Sequence, residues 1–379
     1  MTTRKPTLIV VVALMAGAAQ IGLVASARAD VNPPLAALGP PPVPPDNAQT
    51  PAKVELGKLL FFDTRLSGDA SVACATCHEP GAGWAFSNDI SRGYPGTIHW
   101  RNSQSVINAA YYQKLFWAGA ASSLESQARS AARGAVAGNG ESDMMEARLA
   151  FVPEYRKRFK QVFGDEWPKI RNAWRAIAAF ERTLVQTDTP FDRFMRGDET
   201  ALTEQQKRGL TLFQGKANCI ECHNGPFFTD EKYYNIGVPP ALRWEEEGLA
   251  QITFRFEQYA KGVTQEMYRT IKDDAGLYYR TKEQADLGKF RVPTLRYTLY
   301  TAPYMHNGAF FDLQEVVEFY NDGGGENEFA ANKTDLIKPL NLTDEEIGDL
   351  VAFLESLSGE EIKMTTPKLP PYAPLPAVD

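Results

Sequence analysis

All four cysteines of this chain fall in two pentapeptides of one pattern, Cys74-Ala75-Thr76-Cys77-His78 and Cys219-Ile220-Glu221-Cys222-His223. Two thiols at this spacing can each add to a vinyl group on one edge of a porphyrin. The imidazole that follows then comes beneath the iron as an axial ligand. A redox dithiol with a chance histidine, or half of a zinc site, would use the same residues. The duplication, with no cysteine left over, favours two covalent c-type haems, one on Cys74, Cys77 and His78 and the other on Cys219, Cys222 and His223.

The segments around the two pentapeptides also echo one another. Leu56-Gly57-Lys58-Leu59-Leu60-Phe61-Phe62 precedes the first and Arg208-Gly209-Leu210-Thr211-Leu212-Phe213 the second, each with the look of a short amphipathic helix. Thr203 with Gln206, and Thr343 with Glu346, are capping boxes. The second opens a helix to Leu357 that carries Ile347, Leu350, Val351 and Leu354 at helical spacing. An opening helix, a CxxCH and a closing helix make a cytochrome c domain. Apolar periodicity around Leu124 to Ala132, Ala147 to Phe163 and Trp174 to Leu184 makes the first half helical as well, and strand signals are sparse. The expected fold is mainly α, with two cytochrome c-like domains that carry one haem each, at residues 50–199 and 200–362. Proline-rich stretches flank them: an extended, exposed lead at 30–49, and a tail at 363–379 that is either a packed strap or mobile. The charged and aromatic stretch from Pro239 to Lys289 reads as an elaborated loop.

Covalent haem attachment takes place outside the cytoplasm, and residues 1–29 have the form of a secretory signal. Arg4 and Lys5 are followed by a mostly apolar run from Leu8 to Val24 and by Ala27-Arg28-Ala29. Gly17, Gln20 and Gly22 interrupt the run, which disfavours a membrane anchor, and no later segment is apolar enough to span a bilayer. The expected location is the periplasm. Of the 40 basic residues, Arg4, Lys5 and Arg28 leave with the signal, so 37 face 47 acidic ones, a mature net charge of −10. That argues against nucleic acid or an anionic membrane surface as a partner.

Over residues 50 to 360 the chain resembles the di-haem bacterial cytochrome c peroxidases, and within them the MauG-like branch with its MbnH-like members. The resemblance rests on Leu56-Gly57-Lys58-Leu59-Leu60-Phe61-Phe62-Asp63, Arg101-Asn102-Ser103, Asn108-Ala109, Phe116-Trp117, Gly288-Lys289-Phe290-Arg291-Val292-Pro293-Thr294-Leu295-Arg296 and Thr301-Ala302-Pro303-Tyr304-Met305-His306-Asn307-Gly308. It implies that the N-terminal haem reacts with peroxide, that the C-terminal haem is six-coordinate, and that Trp117 lies between them as an easily oxidised stepping stone. A buried core tryptophan is the plainer reading of Trp117. It also implies a distal glutamine at Gln127 and one calcium ion held by Asn102, Thr301 and Pro303, an oxygen-only set suited to a hard cation. Asn102 could otherwise be a cap or turn residue.

Some positions decide the branch and others depart from the family. Peroxidases proper place a methionine ligand fourteen residues beyond the histidine of Pro-Tyr-x-His, where this chain has Tyr320. A phenolate is a hard anionic donor that favours oxidised iron, whereas a thioether raises the reduction potential. Otherwise Tyr320 is a half-buried aromatic of the helix Leu313 to Tyr320. The distal glutamate of the family falls on Ala137. Glu141 is the nearest carboxylate and would serve as the proton relay only across an insertion; a solvated loop acid is the alternative. The family's Trp-Asp-Gly-Arg reads Trp117-Ala118-Gly119-Ala120, without its bracing Asp and Arg. His306 is expected beside the second haem, and His99 in a surface or hydrogen-bonding role rather than closing the first haem.

The reading is a periplasmic di-haem oxidase that uses hydrogen peroxide to form a high-valent di-haem state. It then oxidises a Trp or Tyr of a secreted protein partner, a copper-binding protein being one candidate. The unmatched segment from Arg243 to Lys272 suits a dedicated partner. The alternatives are a cytochrome c peroxidase fed by a small cytochrome or cupredoxin, and a di-haem electron carrier without catalysis.

Overall fold

The computed structural model describes residues 33–374 apart from 95 and 241. The expected signal segment lies outside the described residues. Among the described residues the structure is mainly helical, 42%. Among the described residues the single sheet is a two-stranded antiparallel pair, Tyr233–Tyr234 against Phe290–Arg291, with Tyr233 opposite Arg291.

Two helix crossings organise the molecule. The helix Pro51–Phe61 starts where Thr50 accepts a hydrogen bond from the Lys53 amide and proline occupies the first turn. It buries Leu56, Leu60 and Phe61 against the helix Ile170–Glu181. At their contact a Cβ on Gly57 would lie 1.8 Å from the Ala176 carbonyl oxygen and 3.0 Å from the Phe180 Cβ, so glycine lets the two backbones touch. The second half repeats this arrangement. The helix Glu204–Gln214, capped by Thr203 and Gln206, crosses the helix Asp344–Ser356, capped by Thr343 and Glu346. Here a Cβ on Gly209 would stand 2.0 Å from the Asp349 carbonyl oxygen and 2.7 Å from the Phe353 Cβ.

Each crossing has its own apolar core. Leu56, Phe61, Trp84, Tyr155, Phe159, Ile177 and Phe180 pack in the first; Phe191, Phe213, Phe228, Leu350 and Phe353 pack in the second. Burying each such side chain contributes about 1.5–3 kcal/mol. The terminal segments cross over. Although rich in proline, the lead is not simply exposed: it is extended, but Leu35 and Leu38 are buried, and Leu35 belongs to the second core. The buried pair Arg296 and Asp192, 2.9 Å apart, holds it there through Arg296 to the Ala36 carbonyl and the Leu38 amide to Asp192. The tail straps back over the first core: Ile362, Met364 and Leu369 pack on it, the Trp84 indole donates to the Ile362 carbonyl, and Arg65 donates to Pro370.

Two expectations need correction. The run from Ala147 to Phe163 is two helices, Ser142–Ala150 and Pro153–Phe163, because Pro153 disfavours helical backbone at Val152 and can only start a new helix. The stretch from Pro239 to Lys289 is not a plain loop. It holds the helices Gly248–Ala260 and Gln265–Thr270 around a small core of Phe254, Val263, Ile271, Tyr278 and Trp100. The longer helix carries an apolar stripe, Leu249, Ile252, Phe256 and Tyr259 at helical spacing, on its exposed side, while the side it buries, Thr253, Phe254, Glu257 and Gln258, is mostly polar.

Candidate functional site

The second pentapeptide opens onto a cavity of about 490 Å³ whose walls include Cys219, Cys222, His223, Trp117, His306 and Tyr320. His223 reaches it from just after a turn of 3-10 helix, Cys219–Glu221. Its Nδ1 lies 3.1 Å from the Phe228 carbonyl. The protonated Nδ1 donates there, which fixes the tautomer and leaves Nε2 as the lone-pair donor. Burial pushes the His223 pKa down and keeps the ring neutral, the form a metal requires. Tyr320 comes from the last turn of the helix Leu313–Asn321. Its phenol pKa is raised by burial first, and then by Cys222 and Cys219, so the protein alone keeps it protonated. All four cysteines are free of disulfides. A cavity bounded by two thiols, one oriented imidazole and a phenol fits a covalently held haem with a second axial donor.

The first pentapeptide is a single helical turn, Cys74–Cys77. His78 is enclosed, its ring centroid 6.5 Å from that of Phe61, and its buried Nδ1 has no hydrogen-bond partner among the described residues. Burial takes its pKa down to about 4. Burial also raises both thiols of this pair, so they are neutral as they stand. Two thiols beside a neutral imidazole, with its Nδ1 buried and unpaired among the described residues, again fit residues that would hold a haem.

The wall beside the second pentapeptide carries a connected cluster. Trp117 is buried and its indole N–H donates to the Asn102 carbonyl at 2.9 Å. The Asn102 amide donates to the His306 carbonyl at 2.7 Å, and the Trp117 and His306 rings meet edge to face at 6.5 Å. His306 stacks on Phe290 at 3.8 Å. Asn102, Thr301 and Pro303 stand on this same wall, and Asn102 Nδ2 donates to the Asp89 carbonyl, which leaves Oδ1 as an acceptor. Sequence reasoning passed over Arg291. It is buried, stacks on Tyr112 at 3.8 Å and lines the cavity, and among the described residues its guanidinium is hydrogen-bonded only to neutral oxygens, of Phe116, Val292 and Gln104. Such a cation suits a carboxylate of a bound group. A long basic residue in the run Phe290-Arg291-Val292 was the available signal.

Three other residues lie apart from this wall. Glu141 is exposed, and its carboxylate caps the helix Ser142–Ala150 by accepting from the Asp143 amide; these backbone hydrogen bonds lower its pKa, the wrong direction for a proton relay. Glutamate is not among the residues favoured at a helix start, so this role carries no sequence signal. Gln127 is half-buried on the helix Leu124–Arg133 and lines neither this cavity nor its neighbour. His99 is half-buried and takes the hydrogen-bonding role. It stacks on Trp100 at 4.3 Å, accepts from the Arg101 amide, and lines a separate cavity of about 350 Å³ shared with His306, Asp273 and Asp274.

Residues 51–200 match the family model described as di-haem cytochrome c peroxidase. Cytochrome-c peroxidase IdrP1 of Pseudomonas sp. (strain SCT) is 53% identical over 382 residues, which cover 100% of this chain and 99% of that protein. Methylamine utilization protein MauG of Methylorubrum extorquens is 36% identical, over 87% of this chain and 84% of that one. Among solved structures, a MauG-like protein associated with microbial copper homeostasis superposes with a TM-score of 0.73 at 30% identity, over 86% of this chain and 94% of the other.

Proposed function

Because the chain belongs to the di-haem cytochrome c peroxidase family, an oxidoreductase family with two c-type haems, we propose that it is a periplasmic enzyme that spends hydrogen peroxide on oxidising a Trp or Tyr of a docked protein. The observation that carries this reading is Tyr320 on the wall of the cavity bounded by Cys219, Cys222 and His223. When bound, the haems supply the reaction with peroxide and hold its oxidising equivalents. The residues do the rest. His78 and His223 are held neutral for ligation, and Phe228 orients the second ring. Tyr320 supplies a hard oxygen donor, whose proton must leave before it ligates as phenolate. Trp117, buried and tied to Asn102, is placed to pass holes across the wall. Asn102, Thr301 and Pro303 hold a calcium ion in this reading. The exposed stripe Leu249, Ile252, Phe256 and Tyr259 supports a protein-binding surface.

A second reading, peroxide reduction with electrons from a small cytochrome or cupredoxin, is favoured by the name cytochrome-c peroxidase on a relative of 53% identity. One experiment separates the two. Peroxide is added to the fully oxidised holoprotein without prior reduction, and the visible spectrum is followed. The oxidase reading expects a long-lived, more oxidised state that Tyr320→Met abolishes. If the wild type responds only after reduction, the peroxidase reading replaces it.

A further inference from the structure

The two crossings give a structural register between the halves. Gly57, Ala176 and Phe180 in one correspond to Gly209, Asp349 and Phe353 in the other. The residue after the crossing phenylalanine is Glu181 in the first half and Leu354 in the second. Leu354 is buried and lines the cavity that Cys219, Cys222 and His223 bound. The equivalent position in the first half therefore faces the place of the first haem, and it bears a carboxyl group instead of an isobutyl one. Glu181 stands close enough to Cys74 to add to the rise that burial gives that thiol's pKa, which agrees with its lying on the pentapeptide side.

Glu181 is only 3% exposed, and its Oε2 has no hydrogen-bond partner among the described residues. The charged groups around it are committed elsewhere. Arg182, next in the chain, forks onto Glu125 of the helix Leu124–Arg133 at 2.8 and 3.1 Å. Lys53 of the opening helix donates to Asn47 and to the Ala48 carbonyl. Cys74 is the titratable group on the pentapeptide side, and as a thioether it no longer titrates. Burial, only partly countered by Arg182 and reinforced by Glu125, brings the Glu181 pKa up to about 8. An acid near neutrality with no counterion of its own responds to whatever charge changes beside it.

We propose that Glu181 is the proton-carrying acid of the first haem, taking up one proton when that haem gains one electron from the donor protein and releasing it when the electron leaves. The inference rests on Cys74, Cys77 and His78 holding a haem, and it is a different role from the peroxide proton relay expected of Glu141. As a group acting through its field on the haem, Glu181 is a positioning residue for charge; it has no assigned contact with peroxide.

The test is a spectroelectrochemical titration of the holoprotein between pH 5.5 and 9, with dithionite as reductant, on wild type, Glu181→Gln and Glu181→Leu. In the wild type the reduction equilibrium of the first haem should shift about tenfold per pH unit, about 59 mV for a one-electron couple, within a window around neutrality, while the second haem shows a shallower dependence. Glu181→Gln should flatten the first slope and remove a carboxyl stretch from the redox difference infrared spectrum. If glutamine disturbs folding, Glu181→Leu, the residue of the second half, gives the same reading. A slope unchanged in either variant with both haems present, or no slope in the wild type, overturns the proposal. Loss of the parent reading would look different: a haemochrome assay would find one haem per chain, unaffected by Cys74→Ala.

Discussion

Substituting Gly209 by alanine tests whether the second crossing sets the shape of the cavity beside it. The added Cβ would sit 2.0 Å from the Asp349 carbonyl oxygen, where real contacts stay above 3.0 Å, so the helices Glu204–Gln214 and Asp344–Ser356 must part by about 1 Å. Parting loosens Phe213, Phe228 and Phe353, whose rings pack within 5.2–6.3 Å of one another. Overpacking of this kind costs ~1–3 kcal/mol, and the loosened aromatic cluster adds roughly as much again. Alanine returns only ~1 kcal/mol of helix propensity. The net loss should be about 1–5 kcal/mol, a fall in Tm of roughly 1–7 °C for a single unit of this size. Gly348 is the control: on the closing helix, its nearest neighbour to an added Cβ is Gln205 Nε2 at 3.8 Å, so Gly348→Ala should be neutral or stabilising. Thermal melts followed by circular dichroism and by the visible bands give both readouts, and only the second haem's bands should shift in Gly209→Ala. A Gly209→Ala protein as stable as Gly348→Ala, with unshifted bands, would refute the argument.

The parts of this molecule that were legible in its sequence are those whose physics is local. Capping boxes at Thr203 and Thr343 and the two CxxCH turns are read within five residues, and the structure places a helix start or a turn at each. Trp117, His306, Tyr320, Asn102, Thr301 and Pro303 were named on a resemblance, and they share one cavity wall. What escaped depended on distant partners. Leu35 and Leu38 look like linker residues until the Arg296 and Asp192 pair, far along the chain, gives them a place to bind. Glu181 followed by Arg182 suggests an ordinary ion pair, yet Arg182 turns to Glu125 and leaves the acid alone. Glu141 escaped for a local reason: its carboxylate accepts from the Asp143 amide, a role that glutamate, not among the residues favoured at a helix start, does not announce.

Two further outcomes follow from buried polar groups. Burial tends to raise the Asp192 pKa, but Arg296, with the Leu38 and Thr189 amides, outweighs it and holds the carboxyl below its usual range. A depressed acid contributes stability that is present above the unfolded-state pKa of about 4 and is lost as pH falls below it, so acid melts of the wild type should steepen there. Asp192→Asn should remove that dependence and cost about 3–5 kcal/mol at neutral pH, because it strands the Arg296 guanidinium, 0% exposed, and frees the lead. Trp117→Phe keeps most of the aromatic volume and removes the easily oxidised indole together with its hydrogen bond to the Asn102 carbonyl. Stability should therefore fall by only about 1–2 kcal/mol, in chemical denaturation, with haem content and resting spectra retained. If the chain oxidises a partner as proposed, that peroxide-driven oxidation should drop by orders of magnitude, since the cavity wall would hold no comparably oxidisable side chain in that place. Undiminished partner oxidation in a fully loaded Trp117→Phe protein would reduce Trp117 to packing and send the oxidising equivalent by another route.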